Sequence, residues 1–209
     1  MIDRKPFYDA IRRDLFGGVL NQKQVDGIEA ILNEWDRRKL TDLRYLAYML
    51  ATAYHEVDKT MQPIREYGGE AYFHRMYDIT GARPGVARHL GNLYAGDGAR
   101  FHGRGLVQLT GRKNYERMTA HVARPLFGVD LEKDPDEAMK LPIAVAIMFE
   151  GMLDAESSFG DFTGLALDDF FNATKDDPIG ARKIINGTDK DELIAEYHRL
   201  FLGALEGAT

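Results

Sequence analysis

Leu43-Arg-Tyr-Leu-Ala-Tyr-Met-Leu-Ala-Thr-Ala-Tyr-His-Glu56 is the stretch from which the rest of the chain can be read. Leu43, Leu46, Ala47, Leu50, Ala51 and Tyr54 recur at helical spacing, while Tyr45, Met49, Thr52 and Ala53 fill the side shared with Glu56. At about 100° per residue, Glu56 lies roughly 150° from the centre of the main stripe. A helix apolar on two faces belongs inside a core rather than on its surface. The spacing therefore predicts a mainly α fold around a central helix over about 42–58, capped by Thr41. Glu56 at its end has two readings. It is either a solvated helix-end residue or a carboxyl group emerging into a cleft, where apolar surroundings favour the protonated form that a general acid needs.

Upstream, residues 6–16 read as a short helix closed by Gly17-Gly18. Asn21-Gln-Lys-Gln24 has the form of a capping box, in which Asn accepts from first-turn amides and Gln reaches back. Val25, Ile28, Ile31, Leu32 and Trp35 then mark an amphipathic helix over 22–38, with Trp35 as packing rather than a ligand-stacking platform. Downstream, the helical period is lost from Met61 to Leu109, where glycines punctuate the chain. This predicts a loop-rich lobe with short strands or turns and one short helix over Val86–Leu90. Glu66, Glu70, Asp78 and Asp97 lie here with Tyr67, Tyr72, Phe73, Tyr77 and Tyr94, aromatics that either pack the lobe or stack on ligand rings. Gly103-Arg-Gly105 places an Arg in a turn between residues free to adopt positive φ. Gln108 and Thr110 follow as polar groups close to the backbone.

The remainder reads as helical. A helix is expected over 111–123, and Asp134-Pro-Asp-Glu137 begins another that runs from Pro135 to about Asp154 with a bend at Pro142. A short helix starts at Asp177-Pro178 and stops near Ile185-Asn186-Gly187. The last, Asp189–Leu205, turns Leu193, Ile194, Tyr197, Leu200, Phe201 and Ala204 inward. The expected organisation is one catalytic domain over 1–209. It has a helical lobe at about 1–60 and 111–209, a loop-rich, small-β lobe at about 61–110, a cleft they flank, and no separate wall-binding module.

Composition narrows the chemistry. With 27 Lys and Arg against 33 Asp and Glu, the formal net charge is −6, and no basic stripe is visible, which argues against nucleic acid as a partner. The absence of cysteine removes disulfides, zinc–thiolate sites and cysteine nucleophiles. His55-Glu56 lacks the second His of a zinc-protease helix, because Lys59 occupies that position, and no other histidine pair has usable spacing. No metal or cofactor is expected. The longest apolar run, Leu141 to Leu153, is interrupted by Glu150 and too short to span a bilayer. No apolar segment follows Met1–Phe7, so no signal peptide is expected and the chain is expected to be cytoplasmic on synthesis.

The ordered set His55-Glu56, Glu66, Phe101-His102-Gly103-Arg104-Gly105, Gln108-Leu109-Thr110, Asn114-Tyr115 and Ile184-Ile-Asn-Gly187 resembles glycoside hydrolase family 19. Leu15-Phe-Gly-Gly and Met61-Gln-Pro-Ile-Arg-Glu66 resemble its phage-type endolysin branch. The resemblance spans nearly the whole chain. It implies an α-rich (α+β), two-lobed, lysozyme-like fold and inverting hydrolysis of a β-1,4 bond between N-acetylated amino sugars. Such hydrolysis uses a carboxylic acid to protonate the leaving oxygen and a carboxylate to activate water. The resemblance makes Glu56 the acid, Glu66 the base and Thr110 a holder of the water, with Glu70 as the alternative base. It places His55, Tyr67, His102, Arg104, Gln108, Asn114, Tyr115 and Asn186 along the substrate. The chain departs from the family in carrying His102 where Tyr is common and in a longer insertion over roughly 71–99.

The expected activity is that of a peptidoglycan-degrading endolysin, a monomer without stable membrane insertion. It would act on glycan strands in the periplasm or cell wall after holin-type release. A chitinase on the same fold, acting on chitin oligosaccharides, is the runner-up. A lytic transglycosylase would need one acidic Glu rather than two. A non-catalytic wall-glycan-binding protein is the reading from another class.

Overall fold

A computed structural model describes residues 2–153 and 162–209, and the protein is mainly helical, as the periodicity predicts. The chain divides into two compact units, Met1–Gln62 with Met148–Thr209, and Pro63–Ile147. Residues 111–147 therefore fall in the second unit.

In the first unit, α1 (Arg4–Asp14) starts where the Asp3 carboxylate accepts the Lys5 amide at 3.0 Å. α2 (Gln22–Arg38) opens on the expected capping box. Asn21 accepts the Gln24 amide at 2.9 Å, and the Gln24 side chain accepts the Asn21 amide at 3.0 Å. Trp35 is core. The cap of α3 (Leu43–Glu56) is Asp42 and not Thr41: its carboxylate accepts the Arg44 amide at 3.0 Å, and Asp and Thr are both good caps, so composition alone did not separate them. Every residue from Leu46 to Tyr54 is buried, so α3 is a central helix wrapped on all sides.

α10 (Asp191–Glu206) packs along α3. Its buried residues are Ile194, Ala195, His198, Phe201, Ala204 and Leu205. The expected inward stripe is thus shifted: Leu200 is exposed, and His198 takes a core position. The His198 ring stacks on Phe171 at 5.2 Å and lies 5.8 Å from the Tyr48 ring, and neither ring nitrogen has a hydrogen-bond partner among the described residues. Burial pushes its pKa down to about 4, an effect that Asp176 and the Arg44 backbone oppose and that the charges of Arg199 and Arg44 assist.

This has a consequence for stability. The unfolded chain takes up the proton near pH 6.5 while the folded chain resists it until about 4. The associated stability is complete above pH 6.5, is lost progressively as pH falls from 6.5 to about 4, and amounts to about 3 kcal/mol at most. The urea midpoint should fall between pH 7.5 and pH 4.5, more steeply in the wild type than in His198→Gln. An imidazole titrating near 6.5 in the native protein would contradict this.

The second unit holds a two-stranded antiparallel ladder, β1 (Ile64–Arg65) and β2 (Arg104–Gly105), in the register Ile64↔Gly105 and Arg65↔Arg104. Short strands are as expected, but the segment between them is more helical than its glycines suggest. It contains α4 (Glu70–Tyr77), α5 (Pro84–His89) and α6 (Asp97–Arg100). α4 escapes the periodicity test because only Phe73 of its eight residues is buried. Residues 78–98 are ordered by buried polar side chains instead. The Asp78 carboxylate accepts from the Thr80 amide and hydroxyl and from the amides of Gly96 and Gly98 at 2.7–3.2 Å. Desolvation opposes its ionisation, but these bonds win and hold its pKa at about 2. Asn92 donates to the Tyr77 carbonyl at 2.9 Å and accepts the Arg112 amide at 2.8 Å, and Asp97 pairs with the Arg112 guanidinium.

The expected helix over 111–123 is α7 (Arg112–Met118), a π turn over Thr119–Ala123, and α8 (Arg124–Phe127), closed by Gly128 at φ +68°. The helix expected from Pro135 is two elements. A 3₁₀ turn, Pro135–Met139, ends at Lys140, and α9 (Leu141–Met152) restarts with Pro142 in its first turn. Pro142 initiates a helix here rather than bending one, because a first-turn proline gives up no intrahelical bond. The expected end near Asp154 lies outside the described residues. The Asp177-Pro178 start leads into a 3₁₀ turn, Gly180–Ile184, in which Asp177 accepts the Gly180 amide at 2.7 Å.

Candidate active site

Each unit presents a carboxylate. In the first unit, Glu56 is the last residue of α3 and its side chain is 12% exposed. A carboxylate at a helix C-terminus opposes the helix dipole, so it needs a local cation. The cation is Arg182, contributed by the 3₁₀ turn Gly180–Ile184. Its Nη1 donates to Glu56 Oε1 at 2.6 Å and its Nε to the Asp189 carbonyl at 2.8 Å. At 2% side-chain exposure, Arg182 is the largest fully buried side chain of the described residues. Glu56 Oε2 has no partner among the described residues. His55 is half-buried beside Glu56, and burial lowers its pKa, so its ring is neutral at pH 7. Asn186 is exposed, two residues past the turn that carries Arg182, with Gly187 at φ +60° as the expected stop.

In the second unit, Glu66 follows β1 directly. Its amide donates to the Gly103 carbonyl at 2.8 Å, and the Gly103 amide donates back to Glu66 Oε2 at 3.1 Å. Tyr77, the last residue of α4, donates its hydroxyl to Glu66 Oε1 at 2.7 Å. Burial and this bond both push the tyrosine pKa up, so Tyr77 stays a donor. Both oxygens are thus anchored, and each keeps a lone pair. Around them the rings of Tyr77, Phe73 and His102 are nearly parallel, with His102 stacked on Phe73 at 4.3 Å and 4°. His102 Nδ1 donates to the Ala99 carbonyl at 2.7 Å, which leaves Nε2 as an acceptor, and burial lowers the ring's pKa.

The two glycines of the Gly-Arg-Gly turn, both free to adopt positive φ, serve different ends. Gly105 alone is in that region, at φ +95°. Gly103 is needed for close approach: a Cβ there would stand 2.6 Å from Gln108 Oε1 and 3.1 Å from Glu66 Oε2. Gln108 itself has φ +53°, and its Nε2 reaches the Ile64 carbonyl at 3.4 Å. The Thr110 hydroxyl donates to the Gln108 carbonyl at 2.8 Å, so its oxygen remains available as an acceptor. Asn114 donates to the Thr110 carbonyl at 3.0 Å.

Glu66 is thus tied to the Gly-Arg-Gly turn at Gly103, His102 precedes that glycine, and Gln108, Thr110 and Asn114 are linked one to the next downstream of it. Tyr67 is 81% exposed beside Glu66, and Glu70 is exposed at the first position of α4. Arg104 and Tyr115 sit beneath. Tyr115 is fully buried and donates to the His102 carbonyl at 3.0 Å, while Arg104 Nη1 donates to the carbonyls of Arg100 and His102 and to the Tyr115 hydroxyl. Tyr115 has no surface on which to meet a substrate, and Arg104 shapes the turn from below.

Arg182 and Tyr77, the donors to the two carboxylates, were not singled out for those roles in the sequence. Tyr77 carries no mark that distinguishes it from the other aromatics of its segment. Arg182 has Lys183 beside it among Ala181, Ile184 and Ile185, so the neighbouring letters do not tell which of the two cations is buried against an acid. No group of three His, Asp or Glu side chains among the described residues could hold a metal ion. Comparison with protein-family models, curated proteins and solved structures found no match to the chain.

Proposed function

We propose that the protein is a glycoside hydrolase that cleaves the β-1,4 glycan strands of peptidoglycan by general acid/base catalysis, with the lysozyme-like, two-lobed fold that its family resemblance implies. The observation that carries this reading is the state of Glu56. Its carboxyl group stands at the end of a helix buried from Leu46 to Tyr54, in a side chain 12% exposed, with one oxygen taken by a buried arginine and no hydrogen bond to the other among the described residues. That is a carboxyl group held in one orientation by a buried donor, which a solvated helix end is not.

In the proposed reaction Glu56 protonates the leaving glycosidic oxygen and Glu66 takes a proton from the attacking water. Tyr77 and Gly103 hold the Glu66 rotamer, and the Thr110 oxygen accepts from the same water. His55, Tyr67, His102, Gln108, Asn114 and Asn186 line the substrate, with Arg104 and Tyr115 supporting the turn. The protein works as a monomer outside the cytoplasm. No helix among the described residues is long and apolar enough to cross a membrane.

The test is clearing of outer-membrane-permeabilised Gram-negative cells, with colloidal chitin assayed in parallel and products examined for reducing ends. Clearing with hydrolytic reducing ends and intact chitin is the expected result. Chitin release without clearing would make the protein a chitinase, anhydro-sugar ends would make it a transglycosylase, and binding of walls without cleavage would end the enzymatic reading.

A further inference from the structure

Arg65 and Arg104 are direct partners in the β1–β2 ladder. Two like charges opposite one another destabilise a strand pair, and this ladder has only two residues per strand. Asp136, from the 3₁₀ turn Pro135–Met139, bridges both. Its Oδ1 accepts from Arg104 Nε at 2.8 Å and its Oδ2 from Arg65 Nη2 at 2.6 Å. The turn is fixed in place by its own cap, Asp134, which accepts the Asp136 amide at 3.2 Å.

The position of this clamp in the chain matters more than its charge. Arg65 immediately precedes Glu66, and Arg104 immediately follows Gly103, the residue that bonds Glu66 through both its carbonyl and its amide. Arg104 also holds the His102 carbonyl. One carboxylate therefore ties together the two backbone segments whose registry sets where the Glu66 carboxylate stands. Asp136 is itself half-exposed, so it is not a buried core charge, and burial and the two arginines act on it in opposite directions, the arginines prevailing to lower its pKa.

We infer that Asp136 is a positioning residue for Glu66, acting through the Arg65–Arg104 pair; its kinetic consequence rests on Glu66 being the base. Asp136→Asn keeps the shape and removes the charge. In the intact protein, amide hydrogen exchange at Glu66 and Gly103 should quicken by about tenfold while α3 amides hold their wild-type rates. Glycan cleavage should lose about tenfold in kcat with little change in KM, since small displacements of a reacting group act on the chemical step. Asp136→Glu should recover part of it. In a Glu66→Gln background, Asp136→Asn should cost nothing further, because the two changes act through one group. Arg65→Met, at the more exposed arm, removes the repulsion together with the bridge, so the same amides should quicken less than in Asp136→Asn, which covers the case of an Asp136 variant that does not fold.

Unchanged exchange at Glu66 and Gly103, or kinetic losses that add to those of Glu66→Gln, would overturn the inference. If exchange responds while the wild type cleaves no glycan, the clamp stands and the proposed function falls.

Discussion

Glu56→Gln is expected to lower the rate of glycan cleavage by about 10²- to 10⁴-fold, the usual range for loss of a general acid. Gln preserves the side chain's length and an oxygen that can still accept from Arg182 Nη1, now 2.6 Å from Oε1. On the proposed mechanism, what it removes is the proton that the leaving oxygen needs. The loss should appear in kcat, because a group that acts in the transition state contributes little to substrate binding. Release of reducing ends from purified peptidoglycan is the measurement, with a thermal melt of the same sample to separate catalysis from folding. Activity within tenfold of the wild type, in a folded variant, would remove Glu56 from the mechanism.

Arg182→Met should be among the most destabilising single changes in the first unit. Arg182 is buried and Glu56 nearly so. Removing one partner of such a pair leaves an uncompensated charge, at a cost of about 3–5 kcal/mol. The bond from Nε to the Asp189 carbonyl is lost as well. For a chain of this length the melting temperature should drop by about 10 °C. In the double variant with Glu56→Gln the orphaned charge is gone, so the combined loss should be smaller than the sum by about 1–3 kcal/mol. Equilibrium urea unfolding of the four proteins closes the cycle. Additive losses would mean that the contact at 2.6 Å carries no coupling.

Local features were legible in advance wherever the determining interactions span a few residues. The capping box of α2 joins positions three apart, and its apolar stripe repeats every turn, so both are written in consecutive letters of the sequence. The same holds for the burial of α3, whose two apolar faces admit no surface position. Where two local solutions compete, the sequence was ambiguous. Thr41 and Asp42 both suit a cap, Pro142 suits both a kink and a first turn, and α10 could turn either Leu200 or His198 inward. For α10, packing of the His198 ring against Phe171 and Tyr48 accompanies the choice.

The mainly α class and the central buried helix thus follow from the sequence by itself, as does the ordered run of motifs that nominates Glu56 and Glu66 as paired carboxylates. What holds those carboxylates was decided only in the tertiary structure. Arg182 meets Glu56 across 126 positions, Asp136 meets Arg65 across 71, and Tyr77 reaches Glu66 from the end of a helix with a single buried residue. A hydrogen bond between distant side chains leaves no period and no spacing in the chain. It exists because burial makes an unpaired charge or donor costly, and folding brings to each the partner that removes that cost.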